Sequence, residues 1–320
     1  MARANSASPV TDLERAILEC RQRDYNLEGI PMFLVLEDLT PDLPSRGAAG
    51  GRLGRLLESY LGHLVAGRDR ASLLDAATAL EVLAAYHFDP EDGEAPVTGA
   101  ALGGLAAGPL VRTINFHNTP PSRASETERQ LLAAGERFRS VGEDDLDGLL
   151  SGGAWRGRKP PVIPVFYEGY RNNYDVALPL LERLGLRAWF FIPTAFIDTP
   201  VPEQHAFARA HHIGLTDDDH PGDRCAMTWD ELREVAKGGH VVACHTATHC
   251  AISDVRAPED VQRELVDSRR RLEQELGREV STLAWLSGAP YGENDRVDPA
   301  VHEAGYRLIF SNAKIQRVAS

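Results

Sequence analysis

The chain has 320 residues, a formal net charge of −13 and an ordinary globular composition, 43% hydrophobic and 25% charged. That length holds either two domains or one barrel with an extension, because single cores stop growing near roughly 250–300 residues. The acidic balance argues against nucleic acid as a partner, since binding a phosphate backbone needs clustered Lys and Arg, and no apolar run approaches the roughly 18 residues that cross a bilayer.

The N-terminus runs straight into a charged, helix-like segment without the apolar stretch of a secretory signal, so a cytoplasmic location is expected. Residues 11–25 open with a Thr or Asp cap and space Leu13, Ile17 and Leu18 at helical intervals. An apolar stretch at Pro31–Leu36 and a Gly/Ala-rich loop at Arg46–Gly54 precede two further amphipathic runs, Leu53–Ala66 and Ala71–Tyr86. Residues 1–108 are therefore read as a mainly helical N-terminal region, a candidate surface for homo-oligomer formation. The acidic, Gly- and Pro-containing stretch Asp89–Gly108 marks its boundary with a second domain, 109–320.

From there the rhythm changes. Short β-rich runs at Leu110–Phe116, Val162–Phe166, Ala188–Ile192, Val241–Cys244, Thr282–Leu286 and Leu308–Ser311 alternate with helical runs at Ser125–Phe138, Asp175–Leu184, Asp230–Lys237, Pro258–Leu276 and Asp298–Ala304. This is the pattern of an α/β fold, with parallel strands and crossover helices in a sheet or barrel. Catalytic groups in such folds collect at the carboxyl ends of the strands.

Four segments place polar groups there: Asn115-Phe-His117-Asn-Thr, Phe166-Tyr167-Glu168-Gly-Tyr-Arg171-Asn-Asn-Tyr174, His245-Thr-Ala-Thr-His249 and Ser287-Gly-Ala-Pro290-Tyr291-Gly292. Two imidazoles at one strand end are good ligands for Zn²⁺ or a similar cation. Taken alone, the pair is equally compatible with two surface or capping histidines. Cys20, Cys225, Cys244 and Cys250 have no CxxC spacing and are read as reduced thiols. The arginines 269–271, interleaved with Glu264, Glu273 and Glu275, are read as a salt-bridged exposed face, and the polar insertion holding His211-His212 and Asp217–His220 as a solvated loop.

In order along the chain, Val165–Tyr174, His245–His249, and Gly288–Gly292 with Asn294–Val297 and Glu303–Tyr306 resemble the three motifs of the polysaccharide deacetylases (the NodB-homology, carbohydrate esterase family 4 group). The resemblance runs from Leu110 to the C-terminus. It implies a distorted (β/α) barrel and a divalent metal, Zn being expected, that serves in hydrolysis of an N-acyl C–N bond. The motif alignment assigns Glu168, His245 and His249 as metal ligands. It places Arg171, Pro290 and Tyr291 against the substrate. Members with a permuted motif order keep the acid histidine in an N-terminal strand, which makes His117 the candidate acid here.

The first motif departs from the family. Tyr167 stands where the family has its base Asp, and Gly288 stands where the third motif has an Arg that braces it. A phenol with an ordinary pKa near 10 is protonated at pH 7 and makes a poor base. The expected function is a metal-dependent, deacetylase-like hydrolase acting on a small N-acylated sugar or metabolite, with Tyr167 orienting water or the carbonyl. The alternatives are a repurposed biosynthetic enzyme of isomerase, dehydratase or cyclase type in the same pocket, and a non-catalytic relative.

Overall fold

The computed structural model describes residues 31–40, 110–151, 159, 161–215, 224–292, 294–311 and 314–319. The expected helices at 11–25, Leu53–Ala66 and Ala71–Tyr86, the linker at Asp89–Gly108 and the candidate oligomer surface they carry lie outside the described residues.

Nine strands form one curled sheet: β1 (Pro31–Asp38), β2 (Leu110–Phe116), β3 (Arg139–Ser140), β4 (Pro161–Tyr167), β5 (Trp189–Ile192), β6 (Val241–Cys244), β7 (Thr282–Ala284), β8 (Leu308–Phe310) and β9 (Lys314–Arg317). The pairing order is β2-β1-β9-β8-β7-β6-β5-β4-β3, and β2 also pairs with β4. That last pairing brings the two ends of the series together, so eight strands run in a circuit from β1 through β9 and β4 to β2 and back. β3 is a two-residue spur on β4. The pairs from β4 to β8 are parallel, while β1–β2 and β8–β9 are antiparallel. The architecture is the expected α/β distorted barrel, with a mixed rather than wholly parallel sheet.

Central strands read as continuous apolar runs because both of their faces are covered. Trp-Phe-Phe-Ile in β5 and Val-Val-Ala-Cys in β6 are buried at every position. On the helix-facing side Phe116, Phe166 and Phe190 stack in register across β2, β4 and β5, with centroids 4.9 and 5.0 Å apart. On the concave side Trp189 and Phe191 meet Phe310, at 4.9 and 5.1 Å. Burying an aromatic side chain of this size contributes about 2–3 kcal/mol each.

Local sequence sets the boundaries of the covering helices. Helix α1 (Ala124–Arg137) follows β2, and α2 (Glu143–Leu150) packs beside β1. The helix α3 (Leu178–Leu184) ends on Gly185, which takes φ +63° as a left-handed cap that residues with a Cβ rarely adopt. Helix α4 (Trp229–Lys237) starts at Thr228, whose hydroxyl accepts from the Glu231 N–H at 3.2 Å while the Glu231 carboxylate accepts from the Thr228 N–H at 2.7 Å. That reciprocal cap sets the helix start.

β1 lies in the N-terminal region by sequence, yet it sits between β2 and β9. Its Leu34 and Leu36 are buried. Among the described residues, no helix is long and apolar enough to cross a membrane.

Candidate active site

The carboxyl ends of β2, β4 and β6 converge on one end of the barrel and deliver His117, Glu168 and His245. One ligand atom from each of Glu168, His245 and His249 lies within 4.8 Å of the others, and all three residues are buried. The imidazoles are turned by backbone carbonyls behind them. His245 Nδ1 lies 2.8 Å from the Ala284 oxygen and His249 Nδ1 lies 2.7 Å from the His211 oxygen. A carbonyl only accepts, so each Nδ1 carries the proton and each Nε2 presents a lone pair.

The donor set fits a divalent cation. Among the described residues, buried Glu168 Oε2 and His249 Nε2 have no hydrogen-bond partner, which is costly unless something else satisfies them. His249 Nε2 is 3.4 Å from Glu168 Oε1, within ion-pair distance but without hydrogen-bond geometry. Burial pushes the Glu168 carboxyl up, but the neighbouring His117, His249 and His245 imidazoles outweigh it and hold the group below the usual carboxylate range. Burial, with His249 beside it, pushes His245 down to about 3. An ionised carboxylate and a neutral imidazole are the forms that ligate metal.

The backbone is strained here. Glu168, Thr246 and His249 adopt φ of 66°, 64° and 58°, a region that non-glycine residues rarely occupy. Strain of this kind costs on the order of 1–3 kcal/mol per residue and persists only where surrounding contacts impose it.

Tyr167 is the last residue of β4 and points to the concave side. It stacks between His117 and Phe191, with centroids 5.3 Å away on both sides, and leans on His245 at 5.4 Å. The acid candidate His117 places Nε2 3.7 Å from Glu168 Oε1, with its side chain 34% exposed. Its loop is clamped by the buried pair Asn172 and Asn173 within the first motif. The Asn173 amide donates to the His117 carbonyl at 2.7 Å and to Thr119 Oγ1 at 3.0 Å, while Asn172 Oδ1 accepts from the Thr119 N–H at 3.0 Å. Asn172 also donates to the Asn118 side chain. Their role is absent from the sequence reading because their partners lie more than fifty residues away; burial of two adjacent amides is the signal.

The expected substrate contacts are placed differently from one another. Arg171 pairs with Asp175 on its own turn at 2.8 Å. Tyr291 is gripped through its backbone by buried Gln316, which accepts from the Tyr291 N–H at 2.8 Å and donates to its carbonyl at 3.1 Å. That grip fixes the Pro290-Tyr291 turn, and β9 supplies it.

Two readings of the sequence change. His211 belongs to the insertion expected as a solvated loop, yet its carbonyl orients His249; residues 216–223, with the Asp217–His220 run, lie outside the described residues. Glu264, expected on an exposed face, is 1% exposed. Its helical neighbours do form the expected surface pairs, Arg269 with Glu273, Arg270 with Asp267 and Arg271 with Glu275. The divergence arises because a π-helical stretch, Gln262–Asp267, turns Glu264 inward.

Residues 156–309 match the family model for polysaccharide deacetylase. They form a polysaccharide deacetylase domain. A polysaccharide deacetylase homologue from Bacillus subtilis, YxkH, is 22% identical over 148 residues, which cover 46% of this chain and 43% of that protein. The chain thus aligns with less than half the length of that relative. Among solved structures, the Streptococcus pyogenes deacetylase PplD in complex with acetate is 17% identical, with a TM-score of 0.49 over 64% of this chain and 90% of that one. IcaB from Ammonifex degensii is 20% identical, with a TM-score of 0.48 over 64% and 85%. The matched residues hold β4 to β7 and the start of β8, with Glu168, His245 and His249; His117 comes from outside them.

Proposed function

We propose that the protein is a metal-dependent hydrolase of non-peptide C–N bonds that removes the acyl group from an N-acylated sugar or small metabolite. The observation that carries this reading is the buried trio Glu168, His245 and His249, with donor atoms within 4.8 Å of one another. Two imidazoles and one carboxylate suit Zn²⁺. A divalent cation held by these residues supplies Lewis-acid polarisation of the amide carbonyl and makes water acidic enough to act as a nucleophile near neutral pH.

The chain's own residues supply the rest. His117, part-exposed and beside Glu168, protonates the leaving nitrogen. Tyr167 keeps its proton and donates a hydrogen bond to the carbonyl or to water. Pro290 and Tyr291 wall the pocket, and Arg171 lies at its approach.

A second reading rests on Tyr167 itself. A phenol at the family's base position, sandwiched by His117 and Phe191, also suits proton transfer in an isomerisation, dehydration or cyclisation, and that reading predicts turnover without release of a carboxylic acid.

Elemental analysis tests the common premise. The purified, metal-replete protein is expected to hold close to one equivalent of a divalent metal, and His245→Ala and Glu168→Ala to lose it while remaining folded. A metal-free unmutated protein sinks the metal-dependent reading.

A further inference from the structure

The loop that carries both histidines is not held by its own sequence alone. It runs from the end of β6 through Thr246 and His249, both at positive φ, and a chain left to itself would relax such a turn. Two tethers oppose that relaxation. Thr246 Oγ1 accepts from the Cys250 N–H at 3.0 Å, closing the loop locally. The second comes from a distant helix: Glu264 Oε2 accepts from the Ala247 N–H at 3.0 Å and the Thr248 N–H at 2.9 Å, and Oε1 accepts from the Thr248 hydroxyl at 2.9 Å.

A carboxylate this deeply buried is costly unless its lone pairs are filled. Here they are, because Arg263 Nε also donates to Oε1 at 2.8 Å. Charge-assisted bonds of this kind are about twice as strong as neutral ones. The helix is shaped to make them. Glu264 lies in the π stretch. Side chains brace that stretch through its carbonyls: Ser268 Oγ donates to the Glu264 oxygen at 2.5 Å and the Tyr306 hydroxyl to the Leu265 oxygen at 3.0 Å. Tyr306 ends the Glu303–Tyr306 motif, so that motif supports the helix turn that aims Glu264.

We infer that Glu264 is the positioning residue of the metal centre, holding the Thr246–His249 loop in its strained form so that His245 and His249 present their Nε2 atoms together. The inference rests on the metal reading above and gives the centre a support that the three ligands do not include. A purely structural Glu264 would lower stability without changing how the folded protein binds a cation.

Equilibrium dialysis of the full chain against Co²⁺, with the visible spectrum of the bound ion as a report on coordination geometry, separates these cases. Glu264→Leu fills the space but removes both acceptors, and is expected to weaken Co²⁺ binding roughly tenfold or more and to alter the spectrum. Glu264→Gln keeps an acceptor for the two loop N–H groups and is expected to retain most of the affinity. A folded Glu264→Leu protein that binds Co²⁺ like the unmutated chain overturns the inference and leaves the metal reading standing. An unmutated chain that binds no Co²⁺ overturns both. Where Glu264→Leu does not fold, Thr248→Val, which removes one bond of the tether, decides: weaker binding supports the role, and unchanged affinity and spectrum overturn it.

Discussion

Tyr167 is the residue on which the proposed chemistry turns. Its ring is held on two sides by aromatic contact and its position is the end of β4, so the side chain has little freedom to leave the site. An Asp there would be shorter, ionised at neutral pH and able to take a proton from water. Tyr167→Asp combined with Glu168→Asp is therefore expected to raise carboxylate release from N-acetylated sugars above the level of the unmutated protein. Unchanged or absent release in a folded, metal-loaded double variant would show that more than the base had been diverted. That Tyr167, Glu168, His245 and His249 come together was legible in sequence, because all four fall within short motifs. Glu264, Gln316 and the Asn172–Asn173 clamp were not, since each acts on a loop remote in the chain.

At the scale of elements, the periodic segments were read closely: β2 and β6 occupy the residues expected, and α4 differs from its expected start by one residue. β9 was missed. Lys-Ile-Gln-Arg has one aliphatic residue and no apolar alternation, yet Lys314 and Gln316 are buried by the strands beside them. The start of β6 carries a testable pH response. His240 Nδ1 accepts the Ala188 N–H at 3.0 Å, which requires an unprotonated ring, and burial, with Arg187 nearby, pushes its pKa down to about 4 from 6.5. The folded state then binds fewer protons than the unfolded state between those values, so stability falls as pH drops through that window. The contribution is about 3 kcal/mol over the whole window, of which about 2 kcal/mol falls between pH 7 and pH 5, at about 1.4 kcal/mol per pH unit for a full proton. His240→Asn keeps an acceptor at the Nδ1 position without titrating there. Urea unfolding at pH 7 and pH 5 should show a smaller loss for the variant than for the unmutated chain; equal losses would mean that other groups dominate.

Across the whole molecule, β1 decides whether the sheet is open or closed. It pairs with both β2 and β9, so without it two strand edges face solvent. Leu36 is 1% exposed on that strand, and Leu36→Ala is expected to cost about 2–5 kcal/mol and to speed amide exchange selectively in β2 and β9. Uniform exchange throughout the barrel would instead mean that β1 folds and unfolds with everything else. The sequence by itself determined the α/β class, the strands and helices with strong periodicity, and the order of the motifs, since these depend on neighbours a few residues apart. Only the tertiary structure decided that an N-terminal strand joins the ring, that Glu264 points inward, and that Gln316 and the Asn172–Asn173 pair hold the loops around the candidate site. Those outcomes depend on contacts between segments tens to hundreds of residues apart, and local propensity does not encode which distant partner a buried polar group will meet.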